Sequence, residues 1–190
     1  NNTIREYIRN FIMSTLETNL IQPSTGTTLT LGASGDTINT PSGVTISGGL
    51  TNTPAFHVKK SGNQDTSNNA ATTVTWETEV VDTNSAFASN TFTVPSGQAG
   101  KYLIYACIRW NTNTDFEGMR LTIRKNSTNH FSNWGRHEYY ETQYISGMID
   151  LSATDTLDVQ VRQSSGGTVA IAASDSGTVS FFGGYKLIGV

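Results

Sequence analysis

Three histidines (His57, His130 and His137), one cysteine (Cys107) and a few close carboxylates are the residues with which this 190-residue chain could do chemistry. A zinc site within one chain needs ligands at spacings such as H-x-x-x-H or H-E-x-x-H, and neither occurs. One histidine from each of three chains could still meet on a threefold axis. Cys107 stands in the apolar run Tyr102-Leu103-Ile104-Tyr105-Ala106-Cys107-Ile108, which reads as a strand with a buried, inert thiol. Gly97-Gln98-Ala99-Gly100-Lys101 is too short for a phosphate loop and precedes a strand where a helix is needed. No G-x-S-x-G elbow is present. Asp155 with Asp158, and Glu138 with Glu141, read as solvated carboxylates and not as an acid–base pair. No catalytic residue, metal or cofactor is therefore expected, and the chain is expected not to be an enzyme.

Binding chemistry is better represented. The stretches 110–117 and 129–144 hold Trp110, Phe116, His130, Phe131, Trp134, His137, Tyr139, Tyr140 and Tyr144, interleaved with Arg, Asn and Asp. Aromatic platforms beside amides and charges suit sugar rings, because the ring stacks on the apolar face while the polar groups bond the hydroxyls. Trp134 is the expected platform, with Asn133, Arg136, His137 and Tyr139 as neighbours, in what reads as a loop over 129–140. The competing reading assigns these aromatics to the core or to a subunit interface.

Composition excludes several partners. Twelve Lys+Arg against 15 Asp+Glu give a formal charge of −3, so no basic stripe for nucleic acid is expected. No apolar run approaches the ~18 residues of a membrane span, so no membrane insertion is expected. The start also lacks the small-residue cleavage site of a signal peptide. Charged residues are only 14% and hydrophobic residues 36%, the balance being rich in Thr, Ser, Asn and 18 Gly. This is the composition of strands and turns.

The elements that must position the aromatic stretch fall into three segments. Residues 1–20 carry Ile4, Tyr7, Ile8, Phe11, Ile12 and Leu16 at the spacing of one helical face. An amphipathic helix this short needs a partner, so Ile4, Ile8, Phe11 and Ile12 are the candidate anchoring residues. Met13-Ser14-Thr15-Leu16 reads as a translation start, which would make the residues before it an upstream extension. Residues 21–53 are almost uncharged and repeat a strand–turn pattern around Leu29, Leu31, Ile38, Val44 and Ile46. They hold too little apolar mass for a private core, which suits a thin shaft of chains wrapped together; a flexible Ser/Thr/Gly linker is the alternative. Residues 54–190 alternate strand candidates with turn signals, and the expected fold is an all-β jelly-roll sandwich. Strands are expected over 55–58, 72–81, 90–94, 101–110, 119–125, 139–151, 156–163, 169–173 and 178–188. In 102–110 and 181–188 both alternate faces are apolar, although a two-layer sandwich strand needs only one dry face. Tyr102, Tyr105, Phe181 and Tyr185 are accordingly the candidate subunit-interface residues.

Ordered motifs in residues 54–190 resemble the jelly roll shared by tumour necrosis factor and the globular heads of the complement q subcomponent. They are Ala55-Phe56-His57-Val58, then Phe92-Thr93-Val94-Pro95 with Gly100-Lys101-Tyr102-Leu103-Ile104-Tyr105. Next comes 119–126, then Leu151-Ser152-Ala153-Thr154-Asp155-Thr156-Leu157-Asp158-Val159, and finally Ser180-Phe181-Phe182-Gly183-Gly184-Tyr185-Lys186-Leu187. One departure is Thr154, where the family usually has glycine before the aspartate. The resemblance implies a homotrimer. Residues 21–53 resemble the shafts of tailed-phage fibre and head-decoration proteins, especially those of marine phages. Together these resemblances imply a protein on the virion surface, a trimeric fibre, knob or capsid decoration, with its N-terminal segment bound to capsid or tail proteins and its head facing host-surface glycan. A secreted trimeric head for a glycan or protein receptor is the alternative, and it has no use for residues 1–53.

Overall fold

The computed structural model of the chain describes residues 21–22, 25–26, 28–31, 33–42, 44, 52–139, 141–173 and 180–188. The anchoring candidates Ile4, Ile8, Phe11 and Ile12 lie outside the described residues. Two compact units divide the chain, Asn1–Thr45 and Ile46–Val190.

In the first unit the described residues form turns and irregular backbone, so the strands expected there are not formed by them. One turn is well determined by its sequence. The Asp36 N–H donates to Ala33 O (3.1 Å), the Ala33 N–H donates to Asp36 Oδ2 (2.6 Å), and Gly35 supplies φ +95°. Leu29, Leu31, Ile38 and Val44 are exposed, Ile38 by 65%.

The described residues of the second unit form an all-β sandwich of thirteen strands. They are β1 (Ala55–Lys59), β2 (Gln64–Thr66), β3 (Thr72–Thr73), β4 (Thr78–Asp82), β5 (Phe87–Ala88), β6 (Thr91–Thr93) and β7 (Gly100–Arg109). After them come β8 (Phe116–Lys125), β9 (Thr128–His137), β10 (Thr142–Leu151), β11 (Thr156–Arg162), β12 (Val169–Ile171) and β13 (Phe181–Lys186). One sheet runs β10-β7-β13-β1-β4, the facing sheet runs β5-β6-β11-β8-β9 with β3 beside β11, and β12 pairs with β2. We call the two main layers the first and second sheets.

Alternation builds the core. Phe56 and Val58 of β1, Tyr102, Ile104, Ala106 and Ile108 of β7 and Phe182 of β13 point inward from the first sheet. Met119, Leu121 and Ile123 of β8, Leu157, Val159 and Val161 of β11 and Phe92 of β6 meet them from the second. Aromatic contacts knit the layers: Phe56 stacks on Phe92 at 4.3 Å between centroids and meets Phe182 edge-on at 4.9 Å. Tyr102 belongs to this core. It is fully buried in a single protomer, and its hydroxyl donates to Gln98 O at 2.6 Å. The expectation that Tyr102 lies at a subunit interface is therefore corrected: it is an inward residue of β7, and its outward neighbours are Leu103 and Tyr105.

The region read as an aromatic loop is largely a strand. Asn126 and Ser127 both take positive φ (50° and 64°), which matches the two-residue hairpin turn favoured between twisted strands. The chain therefore returns at once from β8 along β9. The run expected as one strand over 72–81 is instead β3 and β4, separated by the buried Val74 and Trp76. A charged group is enclosed nearby: Lys60 is fully buried, with its Nζ 2.8 Å from Glu77 Oε1 and 2.9 Å from Thr75 O.

Candidate functional site

Two surfaces carry what the strands leave over. The first is the outer face of the first sheet. Directly paired residues of antiparallel strands share a face, so the register defines three cross-strand rows. They are Tyr144–Cys107–Phe181–Lys59, Ser146–Tyr105–Gly183–His57–Val81 and Met148–Leu103–Tyr185–Ala55. Lys59 is the single charged side chain in these rows. At one end the next row carries the exposed ion pair Lys101–Asp150 at 2.8 Å. Met148 is 67% exposed, Tyr144 52% and Val81 41%. A sheet face with an aromatic centre and a polar margin has the anatomy of a protein interface.

The centre of this face is a ring cluster built on a glycine. Tyr105 and Phe181 lie 6.0 Å apart, and His57 lies 5.9 Å from Tyr105 and 5.6 Å from Phe181. His57 Nδ1 and the Tyr105 hydroxyl are hydrogen-bonded at 3.0 Å. Tyr105 crosses Gly183 to reach His57, and a Cβ there would fall 2.5 Å from Tyr105 Oη and 2.8 Å from the backbone oxygen of Phe56. Burial, and then the neighbouring Lys59, hold His57 below its ordinary value. Burial first, and then the Tyr144 and Tyr185 hydroxyls, raise Tyr105. Burial likewise raises the Cys107 thiol, which is 8% exposed, so Cys107 is a poor nucleophile here. Tyr105, Phe181 and Tyr185 thus share the outer face, whereas Tyr102 does not.

The second surface is the outer face of the second sheet around β9. Alternation divides the expected ligand-binding residues between the two sides of this strand. Trp134 (60% exposed) and Arg136 face outward. Asn133 and His137 face the other way. The Asn133 amide donates to Tyr144 O at 2.9 Å, linking β9 to the edge strand of the first sheet. His137 is fully buried, stacked on Phe116 at 4.7 Å with an 8° interplanar angle, and its Nδ1 lies 3.2 Å from Thr114 O. The expectation that His137 contacts a ligand is corrected, since its position at the end of β9 turns it into the core beside its cross-strand partner. Tyr139 is 70% exposed just beyond β9, where its N–H donates to Asp115 Oδ1. Arg136 makes a loose surface pair with Glu117 at 3.4 Å.

Residues that sequence reasoning passed over complete this surface. Arg120 sits opposite Trp134 on β8, and Arg162 sits opposite Arg120 on β11, so the three form one row. The Arg120 guanidinium lies 4.9 Å from the centre of the Trp134 indole, a contact worth about 0.5–1 kcal/mol at an exposed site. The alternation of Met119, Leu121 and Ile123 already placed Arg120 outward; its neighbours on β9 and β11 were set by a strand pairing that no local pattern reveals. Among the described residues no group of three or more His, Cys, Asp or Glu could hold a metal ion.

Neither a family model nor a curated protein matches the chain. Solved structures do match in fold. A crystal structure of murine APRIL at pH 5.0 superposes with a TM-score of 0.53 at 18% identity, over 70% of this chain and 98% of that one. A second, at pH 8.0, gives 0.52 at 17% over the same shares. The head is a tumour necrosis factor-like jelly roll, as its ordered motifs implied.

Proposed function

We propose that the chain is a homotrimeric structural protein of a tailed-phage virion, a fibre knob or capsid decoration, whose jelly-roll head is displayed on the virion surface and holds host-surface glycan. The observation that carries the trimer is the outer face of the first sheet. Its central rows are aromatic and aliphatic, Tyr144 and Met148 stand more than half exposed in one protomer, and such a patch is sticky unless covered. A threefold arrangement covers the same face in every copy. Attachment to capsid or tail proteins rests on the sequence: the apolar stripe of residues 1–20, and the weakly charged 21–53 segment, whose exposed Leu29, Leu31, Ile38 and Val44 are suited to wrapping with two other chains. The role is binding and structural, not catalytic.

Gold-labelled antibody against the head, applied to virus particles purified from the source culture, tests the virion assignment. Label at regular positions on the particle is the expected result. Deleting residues 1–18 should leave a folded head that no longer incorporates. Protein found only free in the medium would select the secreted recognition head instead.

A further inference from the structure

We propose that the Trp134–Arg120–Arg162 row on the second sheet is a binding site for a carboxylate-bearing sugar polymer, a polyuronate. This rests on the glycan-holding part of the proposed function and names its ligand class.

The three side chains occupy one cross-strand row, so neighbours along it are about 4.8 Å apart, the spacing of strands in a sheet. The whole row spans about the length of one hexose and its substituent. The indole is 60% exposed, with the Arg120 guanidinium 4.9 Å from its centre, and its exposed part is the kind of apolar surface a pyranose face packs against. Among the described residues neither Arg120 nor Arg162 forms an ion pair. Arg162 is held by Asn69, through Nε to the backbone oxygen (3.2 Å) and Nη2 to Oδ1 (2.8 Å). Arg120 Nε is enclosed and has no acceptor. Farther along the same face Arg124 shows what a satisfied arginine looks like: it grips Asp158 with both arms, at 2.6 and 2.9 Å.

Two like charges set directly opposite each other on a sheet are destabilising, and a guanidinium fork is shaped for a carboxylate. A uronate can engage the whole row, its ring on Trp134 and its carboxylate on Arg120 and Arg162. The formal charge of −3 on the chain argues against a long phosphate backbone as the anion. The row lies on the sheet opposite the aromatic outer face of the first sheet.

Fluorescence titration of the full chain reads the site directly, because Trp76 and Trp110 are buried and Trp134 is exposed. Galacturonic acid oligomers should change the emission saturably. Galactose oligomers of the same length should bind at least about tenfold more weakly, and raising NaCl should weaken the uronate alone. By calorimetry Arg120→Gln should weaken uronate binding about tenfold, and Arg120→Lys, which keeps the charge but loses the fork, should weaken it less. Equal binding of the neutral oligomer, no binding of the uronate, or an Arg120→Gln or Arg120→Lys protein that binds like the parent would overturn the proposal. Light scattering on the same samples separates the two readings. A trimer that ignores the uronate discards this site alone, whereas a monomer removes the proposed assembly.

Discussion

Adding one methyl group at Gly183 tests the arrangement on which the proposed interface face is built. The new Cβ would stand 2.5 Å from Tyr105 Oη, 2.6 Å from its Cζ and 2.8 Å from Phe56 O. The tyrosine ring can swing away, but only by giving up its 3.0 Å bond to His57. The Phe56 oxygen belongs to the β1 backbone and cannot yield without disturbing the β1–β13 ladder. Overpacking of this kind costs about 1–3 kcal/mol, and the lost hydrogen bond adds about 1 kcal/mol. For a chain of this length each kcal/mol lowers Tm by about 2–4 °C. Gly183→Ala should therefore melt roughly 4–16 °C below the parent. It should also dissociate at higher concentration, because Tyr105 leaves the face. Gly184→Ala is the inward counterpart: its Cβ runs into Ile104 Cδ1 and lies 2.8 Å from Leu103 O, so it should lose stability with less effect on assembly. Gly62 has nothing within 4 Å of a new Cβ, and Gly62→Ala serves as the neutral control. If Gly183→Ala melted and assembled like the Gly62 control, the ring cluster over β13 would not exist as described.

Further expectations concern single residues. Thr154 takes φ +72°, a left-handed conformation that disfavours a β-branched side chain by about 1–2 kcal/mol, so Thr154→Gly should raise stability by about 1 kcal/mol in urea melts. Glu77→Gln removes the counterion 2.8 Å from the buried Lys60 ammonium and leaves it the Thr75 oxygen at 2.9 Å, so the loss of charge pairing should cost up to about 3 kcal/mol. Acid should act in two windows of a stability-versus-pH curve. His57 lies below its ordinary 6.5, so the unfolded chain takes up the proton first; stability is full above 6.5 and declines as pH falls from there to the lowered folded value. Asp155 is held down to about 2 by Lys125, Asn126 and the Ser152 N–H. Its contribution, about 1 kcal/mol after solvent screening, should be present above 3.8 and lost as pH falls through about 2; Asp155→Asn should flatten that lower limb.

Much of the head was legible because its strands carry their own signals. The doubled apolar pattern of 102–110 located β7 and marked its outer face as unusually dry, and Phe181 and Tyr185 join Tyr105 on that face through the β13–β7 register. Tyr102 was misplaced because alternation separates two faces without saying which is the core. The inward choice was settled by Phe92 and Gln98, which lie against the tyrosine. β9 escaped notice because an edge strand with a wet outer face shows little apolar alternation. The signal that would have found it is the two-residue Asn126-Ser127 turn, which leaves the chain no room for a loop. β2 and β5 are two or three residues long and form only where a partner strand is already in place. The basic row beside Trp134 was hidden for a different reason. Arg120, Trp134 and Arg162 come from three strands, and only the sheet brings them together.

The mass of the protein in solution tests the central claim most directly. Light scattering at micromolar concentration should return about 61 kDa, three times the 20.5 kDa chain. A single species at 20.5 kDa would leave the aromatic face of the first sheet uncovered and contradict the trimer.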